Sequence, residues 1–79
     1  SVESSTFMAL REIQLFLNRS NPTEIRVELP SEVAMYLLNN QRRYLVRLEG
    51  EFNVKIHIIG TRLLRHGQIN ITTIDPQRT

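Results

Sequence analysis

The run from Pro30 to Ile59 most limits what this chain can fold into, because it carries two hydrophobic periods back to back. In its first part Ala34, Leu37, Leu38, Gln41, Leu45, Leu48 and Phe52 fall on one stripe at about 100° per residue. Its second part alternates, with Val54, Ile56 and Ile58 on one side and Lys55, His57 and Ile59 on the other. The spacing predicts one long helix over 31–52, capped by Ser31 with Glu32 in its first turn. Gly50 weakens the last turn by about 1 kcal/mol relative to alanine. Asn53 is the better terminator, since asparagine tolerates the left-handed conformation. Gln41 is the one polar member of the stripe, so it lies at the core edge or finds a buried partner.

The flanks read as material that packs against this run. Phe7, Leu10, Ile13 and Leu17 recur at helical spacing within a first helix from about Glu3 to Asn18, and Ser1 or Ser4 can cap it. Met8, Leu15 and Phe16 widen its apolar arc, so this helix has more than one neighbour or offers a face to a partner. After a turn containing Pro22, Ile25, Val27 and Leu29 alternate with Glu24, Arg26 and Glu28 as a half-buried strand that ends at Pro30. Ile69, Ile71 and Thr73 form a last strand, closed by Pro76. The expected fold class is α+β: a small α-β-α-β-β domain with a three-stranded mixed sheet and both helices on one face. The β-α-β unit is expected to be parallel, and the last two strands to form an antiparallel hairpin. The open face then carries Glu24, Arg26, Glu28, Lys55 and His57, a mixture of signs that does not favour a continuous phosphate track.

At 79 residues the chain is one small domain, and folding buries only roughly 60–65% of its unfolded surface. With no cysteine it has neither disulfides nor thiolate metal ligands, so association with another chain or with the rest of a longer one is a natural stabiliser. The start at Ser1 instead of methionine suggests a piece excised from a larger multidomain protein. No apolar run approaches the roughly 20 residues that span a bilayer, and no signal-peptide pattern is present, so a cytoplasmic parent is expected. The net charge is +2, and nine of the ten basic residues are arginine, whose fork suits phosphate and carboxylate groups.

Catalytic chemistry is hard to find. A nuclease metal site needs clustered carboxylates, yet the sole aspartate is Asp75 and the glutamates are scattered. His57 and His66 lack further ligands at metal spacing, and no serine or threonine has a positioned base. No phosphate-cradling glycine motif occurs, and the strands hold no Phe or Tyr on which a base can stack. Two binding patterns remain. Tyr36, Arg43 and Arg47 share the outer helix face, where they either grip a phosphate backbone and stack on a base or are simply solvated. Met35 and Val46 lie on a flank and are candidates for a subunit contact. In the loop Thr61–His66, Arg62, Arg65 and His66 rim the apolar pair Leu63 and Leu64, which tucks under its own domain or meets a partner.

The central run also carries a resemblance. Pro30, Val33, Ala34, Tyr36, Leu37, Leu38, Asn39 and Arg42, followed by Leu48-Glu49 and the strand Val54–Ile59, resemble the ribonuclease E/G family of bacterial endoribonucleases. The helix from Glu3 to Leu17 looks like the one that begins the family's small domain, so the likeness spans about residues 3 to 74. The resemblance implies the small C-terminal domain of the catalytic half: non-catalytic, serving oligomerisation and scaffolding, with contact to structured RNA as the alternative. It implies self-association in a homo-oligomer or packing on the parent catalytic domain, for which the flank and loop residues Met35, Val46, Leu63 and Leu64 are the candidates. RNA would instead be held by Tyr36, Arg43, Arg47, Arg62 and Arg65. The Mg2+ and structural Zn2+ expected of the parent enzyme belong to other segments, and none of their ligands maps onto this chain. Asn53 stands where the family usually has glycine, Gln41 replaces a common lysine, and the Gly60–Gly67 loop replaces one that bears proline and histidine.

Overall fold

The computed structural model of the chain describes residues 1–75, so the expected closure at Pro76 lies outside the described residues. The elements run α1 (Val2–Ser20), β1 (Glu24–Pro30), α2 (Ser31–Asn40), α3 (Arg42–Phe52), β2 (Lys55–Thr61) and β3 (Asn70–Thr73). The sheet is mixed and has the order β2-β1-β3. Strand β1 runs parallel to β2, with Ile25 beside Ile56 and Val27 beside Ile58, and antiparallel to β3, with Val27 beside Ile71. Ile25, Val27 and Leu29 are buried beneath the helices, whereas Glu24, Arg26 and Glu28 point to the open face. The α+β expectation, with helices on one face, is correct.

Three local expectations are not. The long helix is two helices, because Gln41 leaves the helical region at φ −126°, ψ 24°. The preceding asparagines favour the break: Asn39 Nδ2 donates to the Met35 carbonyl at 2.8 Å and Asn40 Nδ2 to the Tyr36 carbonyl at 3.2 Å. Such back-bonding to the carbonyl four residues earlier adds a second acceptor load to the last turn of α2 and tends to bend a helix. The core stripe survives the break, with Ala34, Leu37, Leu45 and Leu48 all buried and Gln41 half-buried at the joint. Ser31 is the first helical residue and not a cap; Pro30, at φ −52° and ψ 140°, takes the strand into α2 without a side-chain hydrogen bond.

The last two strands form no hairpin. The chain leaves β2 at Thr61, crosses the end of β1, and returns as β3 on the far side. Spanning from one neighbour of a strand to the other takes about 10 Å, which residues 62–69 cover easily. Placing β3 there pairs both edges of the strand that buries most apolar surface. The crossing is shaped by Gly67 at φ 85°, by the Arg65 amide donating to Gln68 Oε1 at 2.7 Å, and by the Leu63 amide donating to Thr61 Oγ1 at 3.1 Å.

The termini of α1 and α3 follow simple capping chemistry. The Ser4 amide donates to Ser1 Oγ at 3.2 Å, and Asn21 ends α1 in the left-handed region. Asn53 ends α3 at φ 52°, ψ 52°, as its sequence position leads one to expect. Glu49 then covers the start of β2 by accepting the Ile56 amide at 2.9 Å. A Cβ at Gly50 would meet nothing within 4 Å, so Gly50→Ala is expected to stabilise the fold by about 0.5–1 kcal/mol. A Cβ at Gly60 would lie 3.2 Å from both Ser31 Cα and Ala34 Cβ, so Gly60→Val is expected to cost about 2 kcal/mol. Urea denaturation of both variants checks the opposite signs.

Candidate interaction surfaces

The break at Gln41 decides what the predicted residues can do together. Tyr36 stays on α2 and is half-buried, while Arg43 and Arg47 are exposed on α3. The aromatic ring that Arg47 reaches is that of Tyr44, with its guanidinium carbon 5.9 Å from the ring centroid. Tyr44 in turn donates its hydroxyl to Gln14 Oε1 at 3.2 Å, tying α3 to α1. Arg43 and Val46 instead line a hollow of about 670 Å³ at the helix joint, with Asn39, Asn40 and Arg42 around it. Arg62 and Arg65 are exposed on the loop that crosses β1, away from the residues of that hollow.

The four apolar candidates do not form one patch. Met35 is 65% exposed on α2, and Val46 is 58% exposed beside the hollow. Leu63 stands 90% exposed on the crossing loop, whereas Leu64 is half-buried and lines a second concavity. That second concavity is a groove of about 610 Å³ between α1 and the crossing loop, floored by Ala9, Leu29, Val33 and Ile69. Leu64 thus tucks against its own domain, while Leu63 points to solvent.

Phe7 is a correction with consequences. It does not belong to the core stripe of α1; it is 56% exposed, and Thr6 occupies the inward position. The buried Thr6 hydroxyl donates to the Val2 carbonyl at 2.7 Å, so the inward site holds a polar residue without an unmet hydrogen bond. Phe7 joins Met8 and Leu15 as large apolar side chains on the outer side of α1. The width of the apolar arc in the sequence was the signal for such a face.

Two carboxylates on the open sheet face are paired, while Lys55 is exposed there without an ion pair among the described residues. His57 Nε2 lies 2.7 Å from Glu24 Oε2, and Arg26 lies 3.3 Å from Glu28 Oε2. His66 Nε2 sits 3.7 Å from Glu32 Oε2, an exposed pair with no third ligand beside it among the described residues. Among the described residues no group of three His, Cys, Asp or Glu is placed to hold a metal ion. Nor is any helix among them long and apolar enough to cross a membrane.

These features belong to a small α+β domain built on a three-stranded mixed sheet, and comparison with known families places it. The model of the RNase E/G thioredoxin-like domain matches residues 1–74, and the chain belongs to that family. The resemblance read in the helix-and-strand run is correct, and it puts the chain in the setting of RNA-processing enzymes. The chain has no cysteine and hence no thiol pair for disulfide exchange. No curated protein matches the chain.

The two loop leucines can be separated experimentally. Leu64→Ala is expected to cost about 1 kcal/mol by opening the groove wall, and Leu63→Ala to stay within about 0.5 kcal/mol of the parent. Urea midpoints measured side by side check the difference.

Proposed function

We propose that this chain is a non-catalytic association and scaffolding domain of a ribonuclease E/G-type enzyme that acts in RNA processing and decay. The observation that carries this reading is the exposure of Met35, Val46 and Leu63, large apolar side chains for which the core has no use. Scattered single apolar residues are ordinary on a protein surface. Here they accompany an exposed Phe7, Met8 and Leu15 in a chain of only 79 residues, whose own core is small. The domain contributes contacts, by pairing within a homo-oligomer or by packing on the catalytic part of the enzyme, and the hydrolytic chemistry and its metal ions belong elsewhere. Sedimentation of the chain over a wide concentration range tests self-association. Apolar pairing is expected to persist from low to high salt, and a strict monomer at high concentration overturns it.

A second reading rests on the hollow at the α2–α3 joint. Arg42 and Arg43 flank it, Asn39 and Asn40 supply amides, and Arg47 lies one turn further along α3. This set, extended by Arg62 and Arg65, suits phosphate oxygens of structured RNA, with Tyr36 beside it as a stacking surface. A gel shift with duplex and single-stranded RNA tests it. Removing Arg43 or Arg47 is expected to lower the slope of log affinity against log salt by about 0.7–0.9 per lost phosphate contact. The absence of any salt-sensitive shift disposes of this reading.

A further inference from the structure

Strand β2 is one edge of the sheet, and part of that edge has no protein group to bond. The Lys55 amide donates to the Thr23 carbonyl at 2.9 Å, which turns the backbone of Lys55 toward β1. Successive strand residues point their N–H and C=O groups to alternate sides. His57, Ile59 and Thr61 therefore also face β1, while Ile56, Ile58 and Gly60 face away from it. The outward amide of Ile56 is taken by Glu49 Oε2 at 2.9 Å. Ile58 and Gly60 have no such cover among the described residues, so each offers a free amide and a free carbonyl. The far edge, β3, is only four residues long, and short edges are self-protecting. β2 has seven residues and no proline.

The helices also stop short of this edge. Ile56 and Ile58 are half-buried, whereas Ile25 and Val27 beside them in β1 are fully buried. A Cβ on Gly60 would touch Ser31, and at about 100° per residue Met35 and Leu38 lie on the same side of α2 as Ser31. The exposed Met35 thus overhangs the open part of the edge.

We propose that this edge receives an extended segment of another protein, added beside β2 as a fourth strand. A second backbone in strand conformation supplies acceptors and donors in the alternation that Ile58 and Gly60 present, and the outward carbonyls repel a phosphate chain. Alternate side chains of the guest strand lie beside Ile58 and beneath Met35, so those positions are apolar. Lys55 and Arg62 stand exposed at the two ends of β2, with no ion pair among the described residues. The guest therefore carries an acidic residue at each end. Neither reading above uses the backbone of this edge, so the inference is independent of both.

The probe is a peptide of alternating valine and threonine with glutamate at both ends, titrated into the 79-residue chain. Hydrogen exchange of the Ile58 and Gly60 amides is expected to slow at least about tenfold at saturation. A bound strand pairs along one side only. N-methylation of one alternate set of the peptide's amides is therefore expected to weaken binding roughly tenfold, and of the other set less than about threefold. Lys55→Glu combined with Arg62→Glu, both at exposed positions, is expected to weaken binding roughly tenfold and to favour a lysine-ended peptide instead. Absence of binding at millimolar peptide, or equal loss from both methylated sets, overturns the proposal. So does protection of Ile58 and Gly60 that rises with protein concentration in the peptide-free chain, which gives the edge to a second copy.

Discussion

Burial of one side of β1 is the constraint on which the rest of the structure depends. Ile25, Val27 and Leu29 are removed from solvent together, and that requires helices above them and a paired strand on each side. The ladder starts at the strand's first residues, where the Lys55 amide donates to the Thr23 carbonyl and the Ile74 amide to the Glu24 carbonyl, both at 2.9 Å. β1 is paired along its whole length by β2 and over Ile25–Glu28 by β3, and its charged side chains share the opposite face in neighbouring pairs. That arrangement explains why the open sheet face offers little to a polyanion, although it holds an arginine, a lysine and a histidine.

The position of β1 also governs where the surface becomes concave. To reach the far edge, the chain must cross the end of β1, and the crossing loop thereby becomes a wall beside α1. Leu64 closes that wall and Leu63 is left outside it. The joint at Gln41 does the same on the other side of the molecule. By turning the chain between α2 and α3 it keeps two buried stripes on one core and opens a hollow lined by arginine and asparagine. The two concavities therefore differ in chemistry: one is apolar with a charged rim, the other polar and basic.

Membership of the RNase E/G thioredoxin-like domain family fits a module whose interest lies in its surfaces. The apolar residues it exposes are distributed over α1, α2, α3 and the crossing loop. A small domain with a modest core is well suited to such a role, because contacts made by its folded form add directly to its stability.

Much of this was legible in the sequence. Alternation named both faces of β1 and β2, helical spacing found the buried residues of α2 and α3, and Asn53 marked the end of α3 through its tolerance of left-handed backbone. The lack of cysteine ruled out thiol chemistry, and the Pro30–Ile59 motif carried the family. Three features were decided only by the tertiary structure. Periodicity describes the sides of one element and is nearly blind to a single residue leaving the helix, so the break at Gln41 left the stripe intact on paper. It is blind also to strand order, since β3 could pair with β2 or β1 and only the burial of both edges of β1 chooses. And it ranked Phe7 with the core because phenylalanine is apolar, whereas the buried stripe through Leu10, Ile13 and Leu17 begins at Thr6, whose hydroxyl is bonded to the backbone. Local chemistry determined what each element is; competition for the same buried space determined which side of it faces the world.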